Sequence, residues 1–328
     1  MDDAERRQLA AVSRAYYLED VPKVDIAAAH GFSRFKVARM LRRARETGIV
    51  TIEVHDDGGD RHDLATALAG HLLLSEAVVV PAGESEDADR RRTARAASEL
   101  LTARTREGDV LGFSWGRTIA VVGECLRSLP PATVVPLTGT VGHDPTRSPI
   151  EVVRRIAAGS PVQTLGIFSP MFASSPEAAR ALRADPAIAE VLARYADLTT
   201  AVLSVGSWDP PVTQLAAFLG ADDRTELDRQ GAVAELAGIF VRADGTPVES
   251  DLAARRISVS VDELLATPRV IAVAGSSAKV DAIHALARSG LVTTLVTDDR
   301  TAALLLRRPR VAAHALPPRR PGHRATGR

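Results

Sequence analysis

Cysteine, lysine and aromatic residues are scarce in this 328-residue chain, and each scarcity narrows what it can be. Cys125 is the only cysteine, which excludes an intramolecular disulfide and a cysteine-rich zinc site. It falls in the helical pattern VVGECLRSL and reads as a packing residue. Lysine occurs only at Lys23, Lys36 and Lys279, whereas arginine is abundant. Histidines such as His30, His71 and His284 lack metal-ligand spacing, so neither a metal nor a cofactor is expected. No apolar run approaches the roughly 20 residues of a membrane span. The start MDDAERR has no signal-peptide n-region or h-region, so the expectation is a cytoplasmic protein with no membrane partner. Net charge is absent too: 41 basic residues balance 41 acidic ones, so any affinity for nucleic acid must come from local clustering.

One stretch supplies such a cluster. Lys23 to Met40, KVDIAAAHGFSRFKVARM, has the spacing of a helix-turn-helix. Ile26 and Ala27 lie inside the first helix, Ala27 small enough for a close crossing. Gly31 tolerates positive φ at the bend, and Ser33 suits the N-cap of the second helix. With Val37, Met40, Leu41 and Ala44 inward at helical spacing, Phe35, Lys36, Arg39, Arg42 and Arg43 face outward or flank that face. Arg34 to Arg45 holds six cations and no acid, a surface able to meet base edges and phosphates. The residues proposed to touch DNA are Ser33, Arg34, Phe35, Lys36, Arg39 and Arg43. Gly48 ends the helix, and Ile49 to His55 alternates like a short strand, which makes the motif winged. The other reading is a helical hairpin with a solvated basic face.

The remainder divides in order. Residues 1–55 form the helix-turn-helix domain and 56–61 a Gly- and Asp-rich linker. Residues 62–316 form the larger domain, and 317–328 a basic, Pro-rich tail expected to be disordered. In the larger domain an amphipathic helix (HDLATALAGHLLL) leads to the strand Ala77 to Pro81, and a long helix follows over about Asp89 to Thr105. Further strands are expected at Asp109 to Phe113, Thr133 to Leu137, Val162 to Gly166, Leu198 to Val205, Arg269 to Ala274 and Leu291 to Val296. These short Val- and Leu-rich runs alternate with helical stretches such as Pro149 to Ala158 and Ser276 to Arg288. Such runs are strands covered on both faces, hence a mostly parallel α/β sheet. Ligands bind such sheets at the carboxyl ends of the strands.

Two strand-to-helix turns could hold an anion there. In GFSWGRT, Gly112 to Thr118, backbone amides at a positive helix end are joined by Arg117 and Thr118. A glycine at such a turn is as often there only for the bend. In AGSSAK, Gly275, Ser276 and Ser277 open a helix, and Lys279 could reach a phosphate above it. Neither turn is a Walker A loop or a G-x-G-x-x-G dinucleotide turn, which points to a small phosphorylated metabolite. The loop Thr138 to Gly142, TGTVG, could add amides. Trp115 and Trp208 follow strand ends, where they line a pocket or simply pack.

The blocks IAAAHGFSRFKVARMLRRARETGIV, DVLGFSWGRTIA, SPIEVVRRIA, LSVGSWDP, GAVAELAGIFVRADGTPV and RVIAVAGSSAKVDAIHALARSGLVTTLVTDDRTAALLL, in this order, resemble the SorC family of bacterial sugar-binding transcriptional regulators over nearly the whole chain. The resemblance implies an N-terminal helix-turn-helix joined to a Rossmann-like effector domain of phosphosugar-isomerase type, assembled as a homodimer or homotetramer. It further implies that Ser114, Gly116, Arg117 and Thr118 belong to the phosphate-binding turn; Trp115 within it, Gly139 in the TGTVG loop and Gly275 are further effector-binding candidates read from the turns themselves. Lys279 would be the basic residue of the family's Gly-x-x-x-Lys loop, and Glu235 would face sugar hydroxyls. Several positions depart from the family pattern. Ser148 stands where Asn is frequent, and Ser204 to Ser207 reads SVGS for the usual Gly-Ile-Gly-Ser. Arg242 replaces Asp or Asn, Ile239 stands where Arg is frequent, and Phe35 where proline is. The phosphate end is thus kept better than the sugar end. An aromatic at position 35 could press on a thymine methyl.

The expected function is a transcriptional regulator of carbohydrate metabolism that binds a palindromic double-stranded operator under control of a phosphorylated sugar or polyol. Two alternatives stand beside it. A phosphosugar isomerase-like enzyme fused to a DNA-binding module would need a carboxylate base, for which Glu235 or Asp244 could be nominated; no catalytic constellation surrounds them, and none is assigned. A constitutive DNA-binding protein would use the α/β domain only to oligomerise.

Overall fold

The computed structural model describes residues 3–50, 59–142, 144, 146 and 148–312, divided between two compact units, Met1–Gly58 and Gly59–Arg328. The expected wing beyond Val50, residues 56–58 of the expected linker and the tail 317–328 lie outside the described residues.

The first unit holds α1 (Asp3–Tyr17), α2 (Lys23–His30) and α3 (Arg34–Glu46). Leu9 and Val12 of α1, Ile26 and Ala27 of α2, and Val37, Met40, Leu41 and Ala44 of α3 form one buried cluster. The apolar spacing of α3 is therefore the spacing of its core face. Gly31 ends α2 at φ 65°, in the left-handed region where a Cβ is costly. The Phe32 amide donates back to the Ala27 carbonyl at 2.8 Å and closes the bend. Ser33 Oγ then accepts from the Lys36 amide at 3.1 Å and caps α3. Ile49 and Val50, expected to open a strand, instead pack half-buried on this cluster, and the Val50 amide donates to the Ala44 carbonyl at 3.0 Å. Two apolar residues directly after a helix end are near enough to its core to be drawn into it.

The second unit is built on a seven-stranded sheet. Its strands are β1 (Glu76–Val80), β2 (Val110–Phe113), β3 (Thr133–Pro136), β4 (Gln163–Thr164), β5 (Thr200–Ser204), β9 (Arg269–Val273) and β10 (Thr294–Asp298), in the spatial order β1-β10-β9-β5-β2-β3-β4. Every neighbouring pair is parallel. Because strand side chains alternate between faces, the apolar runs feed two layers. Leu111, Phe113, Val202, Ile271, Val273 and Val296 pack with the helices α5 (Glu86–Arg104), α6 (Arg117–Cys125) and α7 (Pro149–Gly159). Val110, Ala201, Leu203, Val270, Ala272 and Leu295 pack on the other side with α4 (Gly59–Leu72), α9 (Pro186–Ala193), α13 (Val280–Arg288) and α14 (Asp299–Leu305). The remaining helices are α8 (Pro176–Ala184), α10 (Ala221–Arg229), α11 (Asp251–Ala254) and α12 (Val261–Ala266).

Four details differ from the sequence reading. Helix α4 starts at Gly59, inside the expected linker 56–61; first-turn amides have no partner within a helix, so glycine costs little there. Strand β10 starts at Thr294 instead of Leu291, because Leu291 and Val292 are buried as core contacts ahead of the ladder. Cys125, at the end of α6, is half-buried. A second sheet was not expected at all: β6 (Gly206–Ser207), β7 (Ala232–Leu236) and β8 (Ile239–Arg242) pair antiparallel. Ala237 and Gly238 join β7 to β8 with φ of 52° and 76°, the positive values that a two-residue hairpin turn requires.

Gly112 lies in the middle of β2, where a Cβ would overlap the buried side chain of Leu137. Gly112→Ala should destabilise the protein by about 1–3 kcal/mol in urea unfolding, the usual cost of overpacking. A loss within experimental error would mean that Leu137 has room to move.

Candidate functional site

In the first unit, Ser33, Arg34, Phe35, Lys36, Arg39, Arg42 and Arg43 are all exposed on α3 or at its N-terminus. Phe35 is 81% exposed, so its ring stands clear of the helix core. Lys36 Nζ lies 3.8 Å from the centroid of Phe32, whose ring stacks on His30, so the lysine is held rather than left to sweep through solvent. Arg43 differs from the others: its Nε is 2.7 Å from Glu5 of α1, which ties it to helix packing.

In the second unit, the turns after β2, β5 and β9 meet in a cleft of roughly 590 Å³, part of it open to solvent. Trp115, Gly116, Arg117, Thr118, Glu235, Gly275 and Lys279 all line it. Sequence reasoning named these seven across a separation of half the chain, and the fold brings them together. Gly116 caps α6 with φ 114° and no side-chain bond. A Cβ there would be strained and would press on Ser204 Oγ. The α6 N-terminus therefore opens onto the cleft with its positive dipole end.

Two expected residues do not line the cleft. Ser114 is 1% exposed and lies behind its wall, with Oγ donating to the Trp115 carbonyl at 3.3 Å. Gly139 is wedged against the Ser169–Pro170 backbone and donates to the Ile257 carbonyl at 2.9 Å; its small size serves packing. The turn at Gly275 is also built differently from an open anion cradle. The Ser276 amide donates to Asp298 Oδ2 at 3.2 Å and to Thr301 Oγ1 at 3.1 Å, so a resident carboxylate occupies it. What this turn delivers is Lys279, whose Nζ donates to the Val205 carbonyl at 2.8 Å across the cleft.

Glu235 is the buried acid of the site, 4% exposed. Its Oε1 accepts from Thr213 Oγ1 at 3.0 Å and its Oε2 from the Gly238 amide at 3.2 Å. Gly206 on β6 must be glycine, since a Cβ would occupy the place of the Glu235 carboxylate. Burial pushes the Glu235 carboxyl above its ordinary range, while the bonds from Gly238 and Thr213 and the charge of Lys279 pull it back. Lys279 is pushed down to about 8 by burial, with Glu235 and Glu86 opposing and Arg117 and Arg90 adding to the fall.

Sequence reasoning missed the α5 wall, Glu86, Arg90 and Thr93, and the segment Val212 to Gln214. Arg90 is paired with Asp87 at 2.8 Å and is 14% exposed. Trp208 is not in the cleft; it packs edge-on to Phe240, and its Nε1 donates to Asp228 at 2.7 Å. Asp244 accepts from Thr246 in an exposed turn, and neither it nor Asp209 lines the cleft. Arg242, the departure that put the sugar end in question, is bonded to Gln230 and to the Pro247 carbonyl.

The sequence model of a family described as "Putative sugar-binding domain" matches residues 58–307. The chain is a SorC-family sugar-binding transcriptional regulator. It is 30% identical over 301 residues to YjhU, an uncharacterized transcriptional regulator of Escherichia coli K12, covering 89% of this chain and 92% of that one. It is 27% identical to the erythritol catabolism regulatory protein EryD of Brucella abortus, covering 94% and 99%. The full-length sorbitol operon regulator SorC of Klebsiella pneumoniae has the same fold, with a TM-score of 0.74 at 24% identity, covering 94% of this chain and 100% of that one. In this SorC-family regulator no described helix is long and apolar enough to cross a membrane, and no cluster of metal-ligating side chains occurs among the described residues.

An unfolded lysine keeps its proton up to its ordinary value of 10.5, whereas folded Lys279 releases it near 8. In that window the unfolded chain binds more protons, so this residue's contribution to stability rises with pH. Urea unfolding of the wild type and of Lys279→Met should show the difference in unfolding free energy shifting toward the wild type as pH rises from about 8 to about 10. A difference independent of pH would contradict a lysine held in a desolvated site.

Proposed function

We propose that operator binding by this regulator is controlled by a phosphorylated sugar or polyol held in the cleft of the second unit. The observation that carries this reading is the convergence of Arg90, Arg117 and Lys279 on the uncapped N-terminus of α6, beside the buried hydrogen-bonding carboxylate of Glu235. A dianionic phosphate suits Gly116 to Thr118, where first-turn amides and cations act together. Hydroxyls suit Glu235, Thr213 and Gln214 on the opposite wall, because a carboxylate and neutral side chains can pair with them without further charge. The relatives that regulate erythritol catabolism and a sorbitol operon favour a polyol or sugar as the carbon skeleton.

On the DNA side, α3 enters the major groove with Ser33, Arg34, Phe35, Lys36 and Arg39 toward the duplex, and Arg43 contributes at the margin while paired with Glu5. A homodimer or homotetramer in the cytoplasm then reads a palindromic operator, with half-sites about one helical turn, 34–36 Å, apart. Ligand and operator need a coupling of about 1–3 kcal/mol, or roughly 5–150-fold in affinity, to make a useful switch. Glu235 and Glu86 are the carboxylates that line the cleft, and the relatives that match nearly the whole chain are named as transcriptional regulators. The chain is accordingly read as a ligand sensor, not an isomerase.

A panel of sugar and polyol phosphates tests the cleft. A ligand at about 100 times its dissociation constant should stabilise the protein by roughly 2.7 kcal/mol and should not be turned over. No shift with any member would leave a constitutive DNA-binding protein. Lys279→Ala should weaken the ligand about 10- to 100-fold, the worth of a charge-assisted bond, and leave ligand-free operator binding at its wild-type level. Arg39→Ala should weaken operator binding and reduce the slope of log K against log salt by about 0.9, with the thermal shift by ligand unchanged. Loss of both activities in either variant would show that the two functions are not separable.

A further inference from the structure

A second cavity lies beside the β7–β8 hairpin, away from the cleft already described. It encloses roughly 860 Å³, part of it open to solvent, and shares no lining residue with that cleft. Its walls are Ile239, Phe240, Pro247, Val248 and Val261 on the apolar side and Ser250, Glu249, Ser260 and Asp262 on the polar side, with Arg256 among them. Phe240 and Ile239 are buried, whereas Glu249 and Asp262 are exposed.

Arg256 is the informative residue. Its guanidinium makes one bond, from a terminal nitrogen to the Gly238 carbonyl at 3.3 Å, and no carboxylate lies within ion-pair distance of it among the described residues. Arg183 stands behind it, donating to the carbonyls of Ala254 and Arg256. Burial, with Arg183 adding to it, pushes the Arg256 guanidinium down to about 10, although Glu263 and Glu249 oppose the shift. A five-donor fork with a single long acceptor, half-buried in the wall of a half-apolar cavity, has donors left over for a ligand that enters it. Glu263 makes no ion pair with it; its Oε2 accepts from the amide and the hydroxyl of Ser260 in a capping box. The nearby Ser250 hydroxyl makes no capping bond to α11.

The geometry points to a second ligand site here, for a small carboxylate with an apolar body and no second negative charge. The carboxylate would take the free donors of Arg256 in the planar, two-bond arrangement that guanidinium favours. The body would lie on Ile239, Pro247 and Val261. Exposed Glu249 and Asp262 would repel any further anionic group, which separates this ligand from the phosphorylated effector of the cleft. The two sites meet at one residue: Glu235 in the cleft accepts from the Gly238 amide, and Arg256 donates to the Gly238 carbonyl, on the two peptide groups that flank its Cα. Gly238 is at φ 76° with Met171, Phe172 and Arg256 crowded where a Cβ would be, so this residue links the two sites through its own backbone.

Benzoate is a suitable probe, scored on the full chain without any sugar phosphate, so that the result does not depend on what the cleft binds. Near-saturating benzoate should raise Tm by about 2 °C or more, and terephthalate, which carries a second carboxylate, should not. Arg256→Gln should abolish the shift. Because Arg256 also holds the hairpin, Val261→Trp gives an independent arm: it fills the cavity from the N-terminal turn of α12, leaves Arg256 in place and should abolish the shift too. The proposal is overturned if benzoate produces no shift, if the shift survives Val261→Trp, or if terephthalate matches benzoate.

Discussion

The cleft of the second unit depends on seven strands running the same way. Parallel strands expose all their carboxyl ends on one edge, so each turn that leaves a strand begins on that edge. The three central neighbours, β9, β5 and β2, send their turns to one place, and those turns carry Lys279, Ser204 to Gly206 and Trp115 to Thr118. Strand order also reverses there: β3 and β4 lie to one side of β2, and β5, β9 and β10 to the other. A crevice opens at such a reversal because the helices that follow the two sets of strands pack on opposite faces. The cleft is thus a consequence of topology before any side chain is chosen.

Chemistry is added to that crevice by a balance of buried charges. Glu235 and Lys279 are both taken out of water: burial raises the carboxyl and lowers the ammonium, and hydrogen bonds to Glu235 and the opposite charges around each oppose those shifts. Glycines at 116 and 206 make the room for this: one opens the end of α6, and the other leaves space for the Glu235 carboxylate. Charge in the first unit is managed in the opposite way. Its cations stay exposed on α3 and are ordered by light contacts, Lys36 on Phe32 and Arg43 on Glu5. That arrangement suits a surface that must meet a partner, as the cleft suits a ligand that must be enclosed.

How much of this was legible in the sequence varies with the range of the interaction. Apolar spacing located α3, and the Val-rich runs located the main strands to within a few residues, because both are local patterns imposed by burial. The hairpin of β7 and β8 was hidden because Ala237 occupies the first positive-φ position, where Asn, Asp or Gly would have signalled the turn. Ser114 and Gly139 fitted their motifs by type and proved to be packing residues, since a serine or glycine next to a site has the same letters whether it faces the ligand or the wall. The α5 wall, with Glu86, Arg90 and Thr93, had no motif at all; its residues belong to an ordinary amphipathic helix until the sheet order sets it above the cleft.

The sequence alone determined a helix-turn-helix with one basic face, a parallel α/β unit and two glycine-bearing turns after strands, because spacing, capping and composition act over a few residues. Only the tertiary structure decided which of those turns offers a helix end and which is already filled by Asp298. It also decided that Arg242 is committed to Gln230 and Pro247 and that Arg256 has donors to spare. In the chain Arg242 stood out only as a departure from the family pattern, and Arg256 not at all. Their difference lies in which carbonyls and carboxylates the fold brings within about 3 Å, the reach of a hydrogen bond, and sequence spacing carries no record of that distance.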